Sequence, residues 1–211
     1  MKQHKRWQVT TTLIPVSMLL AAGCATVGPP PVSGFLTDYT GFTSDPSDAS
    51  LLWWERDDFD WTRYRGLIID PVSVYYHPEA RDREILPDEL KKLTDEFRAS
   101  VVEQLEGAYA IVVDPSPDVL RVRCAITDVV PVRPALNAVT GAVGFVAIDV
   151  GGASIEVEFL DSVSGERLAA GVDRKLGSML GGPASLARLG QARAAFDDWA
   201  RELREALETN P

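Results

Sequence analysis

The clearest candidate for chemistry in this sequence is Cys24, which follows the small residues Ala21, Ala22 and Gly23. Small side chains before a cysteine fit the cleavage site of a signal peptidase, and the cysteine thiol can accept a diacylglyceryl group. The chain begins with basic residues and continues with an uncharged, largely apolar run over residues 9–20. Because spanning a bilayer takes roughly 20 apolar residues, this shorter run predicts a cleaved signal peptide rather than a permanent transmembrane helix.

Residues 20–24, Leu-Ala-Ala-Gly-Cys, resemble the lipobox of bacterial lipoproteins, although Ala21 stands where that motif usually has leucine. The resemblance implies a signal peptide over residues 1–23 and a diacylglyceryl cysteine carrying palmitate-type chains at Cys24. Each buried methylene of such chains contributes about 0.8 kcal/mol, so several chains anchor a protein stably. The residue after the cysteine is Ala25 and not aspartate. By resemblance to enterobacterial sorting rules, this implies that the protein is anchored in the outer membrane and faces the periplasm. The inner membrane and the cell surface are the less favoured locations. An ordinary secretory signal with an unrelated cysteine is the alternative.

The charge of the chain limits its partners. The 211 residues carry a net charge of −10, and loss of the basic signal peptide makes the remainder more acidic. An acidic surface repels nucleic-acid phosphates and anionic lipid headgroups. The composition therefore argues against nucleic acid as a partner, and membrane attachment must come from the lipid on Cys24.

Composition divides the chain after the signal peptide into a Pro-rich tether over residues 24–34, an aromatic strap over residues 35–64 and one domain over residues 65–211. The strap carries many aromatic residues among its aspartates, whereas flexible linkers are poor in aromatics. Its rings either pack on the domain or form a recognition surface for a glycan or a partner protein. The candidate contact residues of that surface are Trp53, Trp54 and Trp61.

Hydrophobic periodicity in the domain predicts its fold. Apolar residues at spacings of three and four predict amphipathic helices over residues 87–106 and 186–207. Alternating or β-branched apolar residues predict strands over residues 66–76, 109–113, 119–132, 153–159 and 167–176. We therefore expect an α+β fold, a mixed, mainly antiparallel sheet of about five strands with two amphipathic helices packed on one face.

The remaining chemistry-bearing residues do not form a recognisable catalytic set. His77 is the only histidine after the signal peptide, and Cys124 lies on the apolar face of a predicted strand, where a thiol is buried and inert. Four acidic residues could converge on a calcium ion, although alternating carboxylates usually mark the wet face of a strand: Glu156, Glu158, Asp161 and Asp173. We therefore expect no catalytic residue, no metal site and no cofactor beyond the lipid, and no enzymatic activity.

A second candidate contact site is the segment over residues 133–152, which is rich in glycine and small apolar residues. It could insert into a groove of a partner or touch the bilayer. Alternatively, its last residues continue a core strand and only residues 137–144 form a loop. The candidate contact residues are Asn137, Val139, Val143 and Phe145.

Five stretches of sequence carry a family resemblance. They are GFLTDY at 34–39, IDPVSVY at 69–75, LRVRCAITD at 120–128, EVEFLDSVSGE at 156–166 and FDDWA at 196–200. Together they resemble a family of bacterial lipoproteins known only as a domain of unknown function, over nearly all of the chain after Cys24. The resemblance implies an envelope lipoprotein with no established activity and therefore no catalytic residues to transfer.

Three functions remain open from the sequence. The leading expectation is a non-enzymatic, lipid-anchored binding or accessory component of an outer-membrane or periplasmic assembly, with an unidentified envelope protein as partner. A membrane-anchored glycan or peptidoglycan hydrolase would need a cleft with paired carboxylates beside the strap tryptophans. A periplasmic carrier of an apolar ligand would need a sizeable cavity lined by the sheet and the helices.

Overall fold

The computed structural model describes residues 29–80, 85–133, 151–177 and 187–209, which form a mixed sheet and two α-helices. In chain order the elements are β1 (Thr43–Ser44), β2 (Leu51–Glu55), a 3-10 turn (Trp61–Arg63), β3 (Gly66–Ile69), β4 (Ser73–Val74), α1 (Pro87–Leu105), β5 (Ala110–Ile111), β6 (Val119–Val130), β7 (Gly152–Asp161), β8 (Arg167–Leu176) and α2 (Gly190–Thr209). The predicted α+β class is confirmed.

The eight strands of the described chain are ordered β1-β2-β8-β7-β6-β3-β5, and β4 also pairs with β6. The long strands β6, β7 and β8 form the antiparallel centre, while β3, β4 and β5 run parallel to their neighbours at one side. The sheet is therefore mixed and mainly antiparallel, as expected.

The prediction of about five strands was too low. Strands β1 and β2 lie inside the predicted strap and add an antiparallel edge to β8. The predicted strand over residues 66–76 is divided into β3 and β4 on either side of Pro71, and both halves pair with β6. Proline has no backbone N–H to donate to a ladder, which explains the interruption.

Both helices cover one face of the sheet, as predicted, and share a single apolar core with it. Phe97 of α1 stacks on Phe196 of α2 with ring centroids 4.6 Å apart. Polar contacts along the seam join Glu96 to Arg193 and Ser100 to Asp197. Because these contacts advance in the same direction along both helices, α1 and α2 run parallel to each other. Neither these helices nor any other in the described chain has the length and hydrophobicity to cross a membrane.

The opposite face of the sheet is covered by residues 33–42. Leu36 is fully buried there against Ala170 and Val172 of β8, with the rings of Phe35, Tyr39 and Phe42 packed around this second core. The chain then turns through the β1–β2 edge and returns on the helix side, where Phe59 and Trp61 join the main core. Aromatic residues of the strap thus pack on both faces of the sheet.

A buried carboxylate holds this covering segment. Glu156 of β7 is fully buried and accepts hydrogen bonds from the backbone N–H groups of Ser33 and Leu36 and from the hydroxyl of Tyr39. Asp173 is also buried. The expectation that these strand carboxylates mark a wet face was therefore wrong, because covering segments lie over both faces of the sheet.

Candidate functional site

A half-enclosed cavity of about 360 Å³ lies between the sheet and the two helices. This volume equals roughly a dozen water molecules and falls at the lower end of the ~300–1,000 Å³ typical of small-molecule pockets. Strands β2, β3, β6, β7 and β8 supply one wall and both helices supply the other. The sheet and helices thus leave a space large enough for a small ligand.

Aromatic rings line both walls of the cavity. On the sheet side, Phe159 lies 6.0 Å from Trp53 and 5.3 Å from Trp61, measured between ring centroids. On the helix side, Phe97 and Trp199 have their centroids 6.0 Å apart. Rings on two opposed walls favour a flat or elongated apolar ligand between them.

Gly171 of β8 gives the Trp53 ring its position. A Cβ atom at residue 171 would lie 3.0 Å from that ring, closer than side chains normally pack. Only glycine therefore lets the indole lie against β8 without displacement. The shape of this wall depends on the pairing of Trp53 with Gly171 across the two strands.

Cys124 lies in the floor of the cavity and is half-buried, rather than fully buried as expected. It forms no disulfide within the described chain. Burial raises the pKa of the Cys124 thiol, and the negative charge of Glu156 raises it further. A raised pKa favours the unreactive thiol form, so low reactivity of Cys124 remains the prediction.

Alkylation of Cys124 by iodoacetamide at pH 8 is expected to be at least about tenfold slower in the folded protein than in guanidinium chloride. A raised pKa leaves little of the reactive thiolate at this pH, and unfolding restores the ordinary pKa. Mass spectrometry of the intact chain over time measures both rates. Equal rates in the folded and unfolded protein would refute the predicted inertness.

The helix wall is fixed to the sheet by a buried polar contact at one end of the cavity. The indole N–H of Trp199 donates to Asp173 Oδ2 at 2.6 Å. The ammonium of Lys175 lies 3.8 Å from the same oxygen and 2.7 Å from Glu202 Oε1. Both cavity carboxylates at this end, Asp173 and Glu202, are thus satisfied by groups of the protein itself.

Two further carboxylates line the cavity, and they differ in their partners. Asp70 is paired with Arg121, whose Nη2 lies 2.9 Å from Asp70 Oδ2. Glu55 is exposed and accepts a hydrogen bond from the indole N–H of Trp61 at 3.2 Å. Among the described lysines and arginines, none forms an ion pair with Glu55. Glu55 is therefore the cavity carboxylate that is available to pair with a positively charged group of a ligand.

The geometry does not favour a glycan hydrolase at this site. Asp173 pairs with Leu51 at one end of β2, whereas Glu55 lies at the other end. Four residues of strand separate these positions by roughly 13 Å, whereas the two carboxylates of glycosidases lie about 5–9.5 Å apart. Asp173 and Glu202 are instead bridged by Lys175. These pairs are therefore not arranged for general acid–base chemistry.

The acidic residues considered for calcium do not converge. Glu156 pairs with Val172 across β7 and β8, whereas Asp173 pairs with Ile155. Directly paired residues lie on the same side of a sheet and neighbours alternate, so Glu156 and Asp173 face opposite sides. Within the described residues, no cluster of histidine, cysteine and acidic side chains could hold a metal ion.

His77 lies outside the helices and strands and is buried beside β6. Its Nδ1 accepts a hydrogen bond from the backbone N–H of Glu79 at 3.1 Å, and its Nε2 lies 3.6 Å from Asp128 Oδ2. The imidazole is thus held on one side by a backbone N–H and faces the carboxylate of Asp128 on the other. It ties residues 77–79 to the end of β6.

The structure separates the candidate residues of the strap. Trp53 and Trp61 line the cavity. Trp54 lies on the opposite face of the sheet, with the guanidinium of Arg167 5.0 Å from its ring centroid. The other candidates lie outside the described residues: Cys24, Asn137, Val139, Val143 and Phe145. Sequence reasoning missed Phe159, Phe97 and Trp199 as site residues, since periodicity marks them only as apolar.

The molecule is thus an α+β protein whose sheet and paired helices enclose an aromatic-lined cavity. The chain belongs to the family described as Protein of unknown function (DUF3313), whose model matches residues 31–203. This confirms the expected membership of a family of unknown function. No curated protein is significantly similar to the chain in sequence.

Solved structures share a distant likeness with the chain. The PelC dodecamer from Paraburkholderia phytofirmans is 10% identical, with a TM-score of 0.42 over 73% of this chain and 96% of the other. A DUF4136 family protein from Bacteroides thetaiotaomicron is 11% identical, with a TM-score of 0.41 over 76% and 97%. A candidate lipoprotein from Caulobacter crescentus is 15% identical, with a TM-score of 0.36 over 71% and 92%. These scores are too low to support a conclusion about this chain.

Proposed function

We propose that this protein is a lipid-anchored component of the bacterial cell envelope that acts by binding rather than by catalysis. In this proposal the lipid on Cys24 holds the domain on the outer membrane, facing the periplasm, as an accessory component of an envelope assembly. The cavity between the sheet and the helices carries the binding part of the proposal. The location rests on the signal-peptide and lipobox pattern of residues 1–24.

The attachment of residues 30–36 to the sheet supports a position of the domain close to the membrane. Pro30 is buried, and the backbone of Ser33 is bound to Glu156, so the chain is fixed to the domain soon after Cys24. Residues 24–30 extend over at most roughly 20 Å. An acylated Cys24 would therefore hold the domain near the headgroups rather than on a long leash.

The anchor is tested by blocking lipoprotein processing in cells. Globomycin is expected to make an unprocessed, diacylated precursor accumulate, because lipoprotein signal peptidase cleaves before the modified cysteine. Cys24→Ser is expected to abolish membrane retention, whereas the matched variant Cys124→Ser stays in the membrane fraction. Fractionation and immunoblotting measure both results. A Cys24→Ser protein that remains fully membrane-bound, or processing unaffected by globomycin, would overturn the anchor.

A further inference from the structure

We propose that the cavity binds an organic cation, an amine carried on an apolar body of about ten non-hydrogen atoms. The amine lies beside Glu55 and the apolar body lies between the aromatic walls. This assignment of a ligand class rests on the proposed binding function, since it takes the cavity as the binding site. It goes further by stating the charge of the ligand and the residue that recognises it.

The aromatic lining of the cavity suits a cation on an apolar body. Trp53, Trp61 and Phe159 on the sheet side face a space that Trp199 and Phe97 close from the helix side. Aromatic faces attract cations through their quadrupoles, and tryptophan does so most strongly. Between these walls the ligand's apolar body would also leave water, which favours binding through the hydrophobic effect.

The charged side chains around the cavity are mainly acidic. Its lining includes one guanidinium, that of Arg98, which donates to the backbone carbonyl of Ile69 at 3.3 Å. Four carboxylates line the same space: Glu55, Asp70, Asp173 and Glu202. Among the described residues, Arg121 and Lys175 pair with three of these carboxylates, and the side-chain partner of Glu55 is the indole of Trp61 alone. A cationic ligand completes this arrangement, whereas a carboxylate ligand such as a fatty acid is repelled.

The protein itself holds an ammonium group in this way beside the cavity. The Lys175 ammonium lies 5.9 Å from the centroid of the Trp199 ring, within reach of Asp173 and Glu202. An ammonium is thus held between an indole face and carboxylates at one end. Trp61, Trp53 and Glu55 repeat these residue types at the other end, where the described chain supplies no cation to Glu55.

The test uses three probes with one apolar body and different head groups: 4-phenylbutylamine, 4-phenylbutan-1-ol and 4-phenylbutyrate. The full processed protein in lipid nanodiscs is titrated with each, with empty nanodiscs as the blank. The sequence has five tryptophans, and removal of the signal peptide with Trp7 leaves four. Three of these four line the cavity, so intrinsic fluorescence reports on binding: Trp53, Trp61 and Trp199. The amine is expected to bind about fivefold more tightly than the alcohol, as an exposed charge pair allows, and the carboxylate most weakly.

Two variants locate the charge recognition. Glu55→Gln keeps an oxygen that can accept from Trp61, and it is expected to remove the preference for the amine while leaving the affinity for the alcohol unchanged. Glu103→Gln, on an exposed position of α1 outside the cavity lining, is expected to leave all three affinities unchanged. An amine preference that survives in Glu55→Gln would overturn the role of Glu55.

The outcomes separate this inference from the function on which it rests. Equal binding of all three probes, or preference for the carboxylate, would overturn the cationic ligand class and leave a binding cavity in place. If no probe changes the fluorescence of the wild-type protein, both the ligand class and the cavity's binding role are wrong. A preference for the amine that depends on Glu55 supports both.

Discussion

Replacing Glu156 by leucine is expected to lower the free energy of unfolding by about 3–5 kcal/mol. The carboxylate is fully buried and accepts from the backbone N–H groups of Ser33 and Leu36 and from the Tyr39 hydroxyl, the last at 2.7 Å. Leucine has no oxygen and leaves these three donors without an acceptor. Urea denaturation measures the loss, and hydrogen exchange at the amides of Ser33 and Leu36 shows whether the segment has detached.

The tyrosine in this contact provides a second readout. Burial raises the pKa of Tyr39, and its hydrogen bond to Glu156 and the charge of that carboxylate raise it further. Because the folded-state pKa is raised, this contribution to stability is complete below the ordinary tyrosine pKa and falls as the pH rises above about 10. Ultraviolet titration should show the Tyr39 pKa returning toward its ordinary value in Glu156→Leu.

The control for the Glu156 variant is Glu103→Gln, which is expected to change the free energy of unfolding by less than about 0.5 kcal/mol, as exposed substitutions usually do. A Glu156→Leu protein as stable as the wild type, with unchanged exchange at Leu36, would show that the carboxylate does not hold the segment. The packing of Leu36 alone would then have to account for its attachment.

Removing the carboxylate of Asp173 by Asp173→Ala is expected to cost about 2–4 kcal/mol of stability. Asp173 is 7% exposed and accepts from the Trp199 indole at 2.6 Å, with Lys175 nearby. Its loss leaves a buried indole N–H unpaired and loosens the helix wall of the cavity. Urea denaturation of Asp173→Ala, Trp199→Phe and the double variant measures the coupling between the two residues.

The matched control for this cycle is Asp197→Asn, which alters an exposed contact with Ser100 on the helix seam. It is expected to change stability by less than about 0.5 kcal/mol. Additive effects of Asp173→Ala and Trp199→Phe would contradict the account, because residues joined by a buried hydrogen bond should show a coupling of at least about 1 kcal/mol.

The sequence predicts those elements whose pattern is long enough to have a period. Helix α1 and strands β6 and β8 begin and end close to their predicted bounds, because their apolar residues recur at spacings of 3.6 or 2. Strand β1 has two residues, too few to show any period. Strand β5 is equally short, and the apolar run over residues 109–113 predicts it by composition rather than by a period. The sequence does not predict strand β2, because its residues lie among aspartates and tryptophans. That composition indicates a strap rather than a strand.

The sequence predicts only some of the residues that line the cavity, because periodicity does not show where space is left between elements. Trp53 and Trp61 are conspicuous because aromatic residues are unusual in a linker. Phe97 and Trp199 follow the regular apolar stripes of helices, and periodicity cannot tell a side chain packed in the core from one that lines a cavity. The space itself depends on three-dimensional details such as the absence of a side chain at Gly171 beneath the Trp53 ring.

The sequence pattern also does not predict which carboxylates are buried. Glu156 alternates with apolar residues along β7, a pattern typical of a strand with one wet face. It is nevertheless buried, because residues 33–42 lie over that face without any periodic pattern of their own. Only the tertiary arrangement shows that this carboxylate binds the backbone at Ser33 and Leu36.

The most direct test of the central claim is to identify what the cavity carries in the cell. The full-length protein would be extracted from the membranes of its own cells and analysed by native mass spectrometry, together with Trp53→Ala and Trp54→Ala. These neighbours form a matched pair, since Trp53 lines the cavity and Trp54 lies on the opposite face. Circular dichroism would first confirm that both variants are folded.

A small amine-bearing apolar molecule is expected to remain bound to the wild-type protein and to Trp54→Ala. Trp53→Ala is expected to have lost it. A wild-type protein without any small molecule, or one retained equally by Trp53→Ala, would contradict the claim that this cavity is a binding site.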